Sequence, residues 1–291
     1  MRIGICSYSF HRTGAAGKMD IFSFIATSKE MGCTQLDPWN AHLSLAATGA
    51  DVLAHGADPG KSTVEPPMDD AFLARVDAAA KAAGLPFGCI AVDGAHIFSA
   101  DPAERAANRR RALRWIEIAA RLGADSVRID AGGTAELPAA MLADIAAGYK
   151  DVIAFARARG IQVVMENHWG SSNVPENVVR ILDAVPGLGY LFDTHNWAEG
   201  RQQDGWRLTA GRATCTHIKT WRFDAQGNEV TVDLKPVFAR LRDAGFRGPW
   251  GVESVPEDGD ELTAARQTIA LIRRLAGEGA TSGKAAAGAK S

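Results

Sequence analysis

Short apolar runs alternate with longer amphipathic stretches along the whole chain. The short runs are rich in Val, Ile, Leu and Phe and are bounded by turn-forming residues, which is typical of buried strands. The predicted strands are Ile3–Ser7, Thr34–Asp37, Phe87–Val92, Ser126–Ile129, Val163–Glu166, Tyr190–Asp193, Thr214–Lys219 and Pro249–Glu253.

Between these strands, apolar residues recur at spacings of three and four, which predicts amphipathic helices. Ala112, Trp115, Ile116 and Ala119 show this spacing within one of them. The predicted helices are Ile21–Met31, Asp69–Ala83, Pro102–Leu122, Ala139–Arg159, Pro175–Ala184, Trp206–Ala210, Leu234–Ala244 and Leu262–Leu275. Glycines that suit a left-handed helix end follow several of them, at Gly32, Gly84, Gly123, Gly160 and Gly245.

Eight strand–helix units in about 275 residues match a single (β/α)8 TIM barrel of the α/β class. A doubly wound sheet more often has fewer strands and a glycine-rich phosphate loop after the first, but GICSYSFHRTG fits neither GxGxxG nor GxxxxGK. We therefore expect one domain over residues 1–276 and a flexible, low-complexity tail over 277–291. Residues 40–67 form a long polar stretch after the second strand, rich in Gly, Pro and His. Such a stretch is either a loop that covers the substrate or an ordinary surface loop.

Composition narrows the class of protein. The net charge is −2, and the basic stretch NRRRALRWIEIAARLG has helical spacing with acidic residues nearby, so we expect neither nucleic acid nor a membrane surface as a partner. No apolar stretch approaches the roughly 20 residues of a membrane span. The N-terminus shows no signal-peptide pattern, and the cysteines Cys6, Cys33, Cys89 and Cys215 form no CxxC pair. These features predict a cytoplasmic protein with reduced, buried thiols.

Four consecutive predicted strands carry a metal-ligand type of residue at or near the carboxyl end. These residues are Glu166, Asp193, His217 and Glu253. In a barrel, the carboxyl ends of all strands meet at one mouth. Each residue alone is better explained as a helix cap, a solvent contact or a hydrogen-bonded core histidine. Three converging carboxylates would repel one another without a cation, so the four together predict a divalent metal site.

One nitrogen and three oxygen donors suit Mn²⁺ or Mg²⁺ better than a structural zinc site, with Co²⁺ or Zn²⁺ as alternatives. The chemistry that such a site suits is proton abstraction next to a carbonyl, where the cation stabilises the developing enediolate. The substrate expected from this chemistry is a small molecule with a carbonyl group and an adjacent hydroxyl group.

Four segments of the chain resemble the sugar phosphate isomerase/epimerase family, the xylose isomerase-like TIM barrels of the AP endonuclease family 2 superfamily. The segments are RRALRWIEIAARLGADSVRIDAGG, ENHWGSS, LFDTHN and HIKTWRFDAQGNEVTVDLKPVFARLRDAGFRGPWGVES. The resemblance covers roughly residues 1–275. In that family, Glu, Asp, His and Glu on strands five to eight hold a divalent metal, and they match the four residues above. In the resembling ketose 3-epimerases the two glutamates also transfer protons, which implies that role for Glu166 and Glu253.

Several neighbouring side chains are candidates for substrate binding. Asn167, His168 and Trp169 follow Glu166 directly, and His195 or Asn196 stands where many relatives carry a substrate-contacting histidine. Lys219 lies on the same strand face as His217. The remaining candidates are Trp39, as a pocket wall, and His96 and Arg222. His96 is equally compatible with a surface position, and Arg222 either binds a phosphate or carboxylate or forms a surface ion pair.

Two departures from the family pattern narrow the activity. The ketose 3-epimerases have a second glutamate six residues after the first, where this chain has Ser172. The endonuclease branch binds three zincs with additional histidines, and this chain has Asn196 and FDAQG at those places. Cleavage of abasic-site DNA is therefore not expected.

Three functions follow, in decreasing order of preference. The first is a metal-dependent isomerase or epimerase acting on a keto-sugar or sugar derivative. The second is a dehydratase or lyase that shares the first proton transfer, as in inosose dehydration or cleavage of a 3-oxo-glycoside. The third is a barrel that binds sugar without turnover, which would predict that at least one of the four metal ligands is missing. The resemblance also implies a homo-oligomer, either a dimer or a tetramer.

Overall fold

The computed structural model of the chain describes residues 1–48 and 64–286. Within these residues seven parallel strands form one sheet in the order β1-β7-β6-β5-β4-β3-β2. The strands are β1 (Ile3–Ile5), β2 (Cys89–Val92), β3 (Ser126–Ile129), β4 (Gln162–Glu166), β5 (Gly189–Asp193), β6 (Cys215–Thr220) and β7 (Trp250–Ser254).

The segment between β1 and β2 closes this sheet into a barrel. Asp37 pairs with Cys6 beyond β1, and Leu36 and Trp39 pair with Phe87 and Ala91 on the β2 side. The strand predicted at Thr34–Asp37 is therefore present only as single bridges. Its ladder is short because Pro38 has no N–H to donate and the segment divides its pairing between two neighbours. The predicted (β/α)8 architecture is confirmed.

Ten α-helices within the described residues surround the strands. They are α1 (His11–Ala15), α2 (Ile21–Glu30), α3 (Asn40–Thr48), α4 (Asp70–Ala83), α5 (Pro102–Leu122), α6 (Ala139–Arg157), α7 (Pro175–Ala184), α8 (Gln202–Thr209), α9 (Lys235–Asp243) and α10 (Glu261–Ala286). Helix α8 begins earlier than the predicted helix near Trp206. None of the helices in residues 1–48 and 64–286 combines the length and apolar character of a membrane span.

The limits of α5 show how the sequence sets a helix. The Asp101 side chain accepts a hydrogen bond from the N–H of Ala103 at 2.8 Å, and Pro102 occupies the first turn. At the other end Gly123 has φ of 66°, a left-handed conformation that costs glycine little. The predicted face of α5, with Trp115 and Ile116, is buried in the main core.

A second, smaller cluster fills the inside of the barrel. It contains Cys89, Val164, Leu191 and Cys215, from β2, β4, β5 and β6. Side chains on one strand face recur every two residues. The inward residues one step further along β4, β5 and β6 are Glu166, Asp193 and His217, and thus they stand above this apolar layer. The four cysteines are all buried and unpaired, as the sequence predicted.

Two predicted irregular segments lie partly outside the described residues. Of the long stretch over residues 40–67, the first part forms α3, and Glu65 pairs with Arg111 on α5 at 2.8 Å. Residues 49–63 lie outside the described residues, so the covering role of this stretch stays a prediction. Helix α10 continues to Ala286, through the first part of the predicted tail, and residues 287–291 lie outside the described residues.

Candidate metal centre

Glu166, Asp193, His217 and Glu253 converge at the carboxyl ends of β4 to β7. Each offers a ligand atom within 4.8 Å of the others, and all four side chains belong to buried residues. Strand pairing sets Asp193 opposite His217 and brings Glu253 opposite Lys219. Four residues that are far apart in sequence are thus assembled into one cluster of metal-ligand type. We call these four residues the quartet, and the site that they form the centre.

His217 lies between the two glutamates. Its Nδ1 atom is 3.0 Å from Glu166 Oε1 and 2.8 Å from Glu253 Oε2. Asp193 accepts a hydrogen bond from the backbone N–H of His195 on Oδ1, whereas its buried Oδ2 has no hydrogen-bond partner among the described residues. A buried carboxylate oxygen without a donor is costly, so this atom calls for a cation or a proton.

The pKa values of the cluster show the strain of converging acids. Burial raises the pKa of Asp193 to about 8, with Glu253 and Glu166 adding to the shift and Lys219 opposing it. Burial also acts to raise the pKa of Glu253, but Lys219 and His217 outweigh it and hold that pKa well below its usual value. Burial acts to lower the pKa of His217, which the acidic neighbours raise well above its usual value.

These residues fit a divalent cation. They supply three carboxylates and one imidazole within 4.8 Å of one another, and the unpartnered Asp193 Oδ2 is one of the carboxylate oxygens. A cation among them would relieve both the repulsion between the acids and the desolvation of Asp193. Glu166, Asp193, His217 and Glu253 are therefore the residues that would hold it.

Lys219 and Asn196 extend the centre on its outer side. Lys219 Nζ lies 2.9 Å from Glu253 Oε1 and donates to Asn196 Oδ1 at 3.0 Å. The Asn196 amide nitrogen lies 3.5 Å from Glu166 Oε1. Asn196 adopts φ of 47°, a left-handed conformation that asparagine tolerates better than most residues. This conformation brings the Asn196 side chain into contact with both Lys219 and Glu166.

A cavity of about 110 Å³ opens onto the centre. Four of the predicted substrate-binding residues, Trp39, His168, Trp169 and Lys219, line it together with Glu166, His217 and Glu253. The remaining lining residues are Cys6, Tyr8, Asp93 and Arg128. The cavity thus has two indole walls and a floor of charged side chains, which suits a small polar molecule with one apolar face.

Asn167 and His195 lie close to the centre but do not line this cavity. The Asn167 side chain accepts from Tyr190 Oη at 2.7 Å and from the Asp193 N–H at 2.9 Å, and it donates to the carbonyls of Asp193 and His195. It therefore fixes β4 against the end of β5. The His195 ring contacts the Trp221 ring edge-on at 4.1 Å, and burial lowers the His195 pKa to about 3.

Arg222 and His96 lie outside the cavity. Arg222 has a side chain that is 60% exposed and lies 3.3 Å from Glu257, in an ion pair of the surface type. His96 lines a separate cavity of about 350 Å³, formed with residues of α5 and α6. The centroid of its ring lies 6.0 Å from that of Trp169, so His96 contacts a residue that lines the cavity without lining the cavity itself.

Sequence reasoning missed three charged residues next to the quartet: Asp93, Arg128 and Asp130. Arg128 points inward from β3, and Asp93 and Asp130 follow directly after β2 and β3. All three are buried. Asp93 and Asp130 directly follow β2 and β3, just as Glu166 ends β4, so the same strand-end pattern in the sequence indicates them as well.

Ser172, at a position for which the resemblance to ketose 3-epimerases would predict a glutamate, lies six residues after Glu166. Its hydroxyl accepts from the N–H of His168 at 3.2 Å and donates to the carbonyl of Trp169 at 3.1 Å. The serine therefore shapes the turn that carries His168 and Trp169 to the cavity, and it adds no carboxylate there.

The chain belongs to the xylose isomerase-like TIM barrel family, whose model matches residues 43–275. Solved structures with the same fold include an L-ribulose 3-epimerase, at a TM-score of 0.72 and 18% identity over 98% of this chain and 97% of that one. The probable 3-DHS dehydratase AsbF of Bacillus anthracis has a TM-score of 0.65 and 14% identity, over 93% and 99% of the two chains.

The IOLI protein, in a structure with a bound zinc atom, is also similar, at a TM-score of 0.71 and 12% identity over 96% and 99% of the two chains. A comparison with curated protein sequences gave no match. At these identities the similarity establishes the fold, and the chemistry must be argued from the centre itself.

Proposed function

We propose that this protein is a divalent-metal-dependent isomerase or epimerase that moves a proton next to the carbonyl of a keto-sugar or sugar derivative. The observation that carries the proposal is the pair of buried glutamates, Glu166 and Glu253, that line one cavity and both contact His217 Nδ1. Two carboxylates on the wall of one small cavity can serve a single substrate, one removing a carbon-bound proton and the other returning it.

The other residues have supporting roles in this proposal. Asp193 and His217 hold the cation together with the two glutamates. A bound Mn²⁺ or Mg²⁺, with Co²⁺ or Zn²⁺ as alternatives, would supply Lewis-acid stabilisation of negative charge on the carbonyl oxygen. Trp39 and Trp169 exclude water and support an apolar sugar face, while His168 and Lys219 offer hydrogen bonds to hydroxyl groups.

Relatives in fold support a sugar-like substrate, because they include an L-ribulose 3-epimerase. The lining of the cavity, with two indole rings beside charged side chains, is consistent with a small polar substrate. A homo-oligomeric state, which the family resemblance implies, and a cytoplasmic location, which the sequence pattern predicts, complete the proposal.

Solvent-deuterium incorporation tests the proposed reaction. Mn²⁺-loaded protein is incubated in D₂O with a panel of ketoses, ketose phosphates, inososes and 3-oxo-glycosides, beside an EDTA-treated control. Metal-dependent deuterium next to a carbonyl, accompanied by an epimer or aldose, is the expected result. A dehydrated or cleaved product would replace the isomerase with a lyase. Absence of incorporation from every compound, with metal bound, would contradict the proposal.

A further inference from the structure

A second cluster of metal-ligand type lies beside the quartet. Asp93, Asp130 and His168 offer ligand atoms within 4.8 Å of one another, and both aspartates are buried. His168 Nδ1 is 3.0 Å from Asp130 Oδ2. By donor type alone this second cluster resembles a place for another divalent ion.

The guanidinium of Arg128 lies within this second cluster. Its Nη1 atom is 2.9 Å from Asp93 Oδ1 and 2.7 Å from Asp130 Oδ2, and it also donates to the carbonyl of Val92 at 3.3 Å. The Arg128 side chain is 5% exposed. One permanent positive charge therefore sits between the two aspartates, in the position that an ion would need.

Arg128 also connects the second cluster with the quartet. Its Nε atom is 3.1 Å from Glu166 Oε2, whereas Glu166 Oε1 lies 3.0 Å from His217 Nδ1. The two oxygens of Glu166 thus face two different nitrogen groups, the guanidinium of Arg128 and the imidazole of His217. A carboxylate in this arrangement has the position of a bridging ligand between two cations.

Two tryptophans orient the aspartates toward Arg128. The Trp39 indole N–H donates to Asp93 Oδ2 at 2.7 Å, which leaves Oδ1 for the guanidinium. The Trp169 indole N–H donates to Asp130 Oδ2 at 3.1 Å, the same oxygen that Arg128 contacts. These contacts fix the carboxylates around a planar guanidinium, whose donors match carboxylate geometry.

We propose that Arg128 is a built-in cation that takes the second metal position and keeps the centre at a single divalent ion. The inference rests on the proposed function only in assigning the first ion to the quartet. A guanidinium stays protonated under all ordinary conditions, so its single positive charge faces Asp93, Asp130 and Glu166 whatever the concentration of metal in solution. Arg128 is in this view a positioning residue, because it acts on the reaction through Glu166.

Metal stoichiometry tests the inference. Wild type and Arg128→Met are stripped with EDTA, loaded with MnCl₂, and assayed for bound manganese by mass spectrometry and by calorimetric titration. Arg128→Met leaves three buried carboxylates without their cation, so we expect it to bind one more equivalent of Mn²⁺ than wild type. The extra ion should also give the variant a larger Mn²⁺-dependent rise in melting temperature. Arg109→Met, which removes an exposed pair with Asp151, is the control and should leave the stoichiometry unchanged.

Equal stoichiometry in wild type and Arg128→Met would overturn the inference, whatever the activity. Wild type that binds no ion, beside a variant that binds one, would remove the metal from the proposed function and would also overturn the single-ion centre that the inference assigns to wild type. His168→Gln gives an independent readout if Arg128→Met does not fold. Its stoichiometry should equal that of wild type, and loss of one equivalent would show that the second cluster already binds an ion beside Arg128.

Discussion

Lys219 and Glu253 lie opposite each other on β6 and β7, with Nζ 2.9 Å from Oε1. Their side chains are only 12% and 7% exposed. The glutamate that we propose as a proton carrier is therefore paired with a cation from its own sheet. Removing one partner of such a buried ion pair lowers the free energy of unfolding, because the other partner remains as a buried charge with fewer neighbours of opposite sign.

Lys219→Met should lower the free energy of unfolding of the metal-free protein by about 3 kcal/mol, because Glu253 keeps only His217 as a positive neighbour. Urea unfolding at neutral pH measures the change. Arg222→Met is the matched control, since its pair with Glu257 is more than half exposed. It should change the free energy of unfolding by no more than about 0.5 kcal/mol. Equal effects of the two substitutions would contradict the importance of the buried pair.

Glu253→Gln should reduce deuterium incorporation at least about 100-fold, because the amide cannot accept the proton while it keeps an oxygen for the metal. Most of the manganese binding should remain. The rate is followed by mass spectrometry on the substrate that the panel identifies. Glu257→Gln, at a side chain that is 55% exposed, serves as the control. Full activity of Glu253→Gln would exclude Glu253 from proton transfer.

Asp193→Asn should separate metal binding from stability. In wild type, Mn²⁺ at one hundred times its dissociation constant should add about 2.7 kcal/mol to the free energy of unfolding. The amide keeps an oxygen for the ion but lacks the negative charge, so we expect part of this gain to disappear.

The metal-free Asp193→Asn protein should nevertheless be at least as stable as wild type at pH 8. Burial raises the Asp193 pKa to about 8, so the folded state keeps a proton that the unfolded state loses near pH 4, and wild type loses stability as the pH rises between these values. Asp183→Asn, at an exposed pair with Arg212, is the control. An unchanged Mn²⁺ effect in Asp193→Asn would remove this residue from the metal site.

The buried His42 should make the protein sensitive to acid. Burial lowers the His42 pKa from 6.5 to about 4, so the unfolded state takes up a proton at a higher pH than the folded state. The stabilisation is complete above pH 6.5 and is lost as the pH falls toward 4, at a cost of about 3 kcal/mol.

His42→Asn should flatten the decline in unfolding free energy between pH 6.5 and 4, measured by urea unfolding in the metal-free protein. The same variant at pH 8, above this window, supplies the reference for any loss of packing. A decline as steep as that of wild type would assign the acid sensitivity to other groups.

Much of the fold could be read from local patterns. The glycine ends of the helices are confirmed, since Gly32, Gly84, Gly123, Gly160 and Gly245 all adopt positive φ. The inward positions of Glu166, Asp193 and His217 follow from the two-residue period of a strand and from the common mouth of a barrel. These features depend on a few neighbouring residues and on one symmetric architecture.

The contacts between distant elements could not be read in this way. Nothing near Arg128 in sequence shows that Asp93 and Glu166 flank its side chain, because these contacts depend on how β2, β3 and β4 pack. The same holds for Asn167, whose polar, strand-end position suggested a substrate contact and whose side chain instead joins two strands. The residue types in the sequence therefore show which polar groups lie at the mouth of the barrel, but they do not show which side chains these groups contact.

The alternation of side chains along β6 makes the centre depend on one pairing register. Cys215, His217 and Lys219 all point inward from this strand. The neighbouring strand β7 lies close to it at Gly251, where an added Cβ would be 2.3 Å from the carbonyl oxygen of Thr216. A slip of one residue in β6 would turn its metal ligand and its lysine outward together. A molecule in which β6 pairs in the wrong register would therefore lose the whole metal site rather than bind metal more weakly. A partly misfolded sample should then contain two kinds of chain, one with full metal binding and one with none.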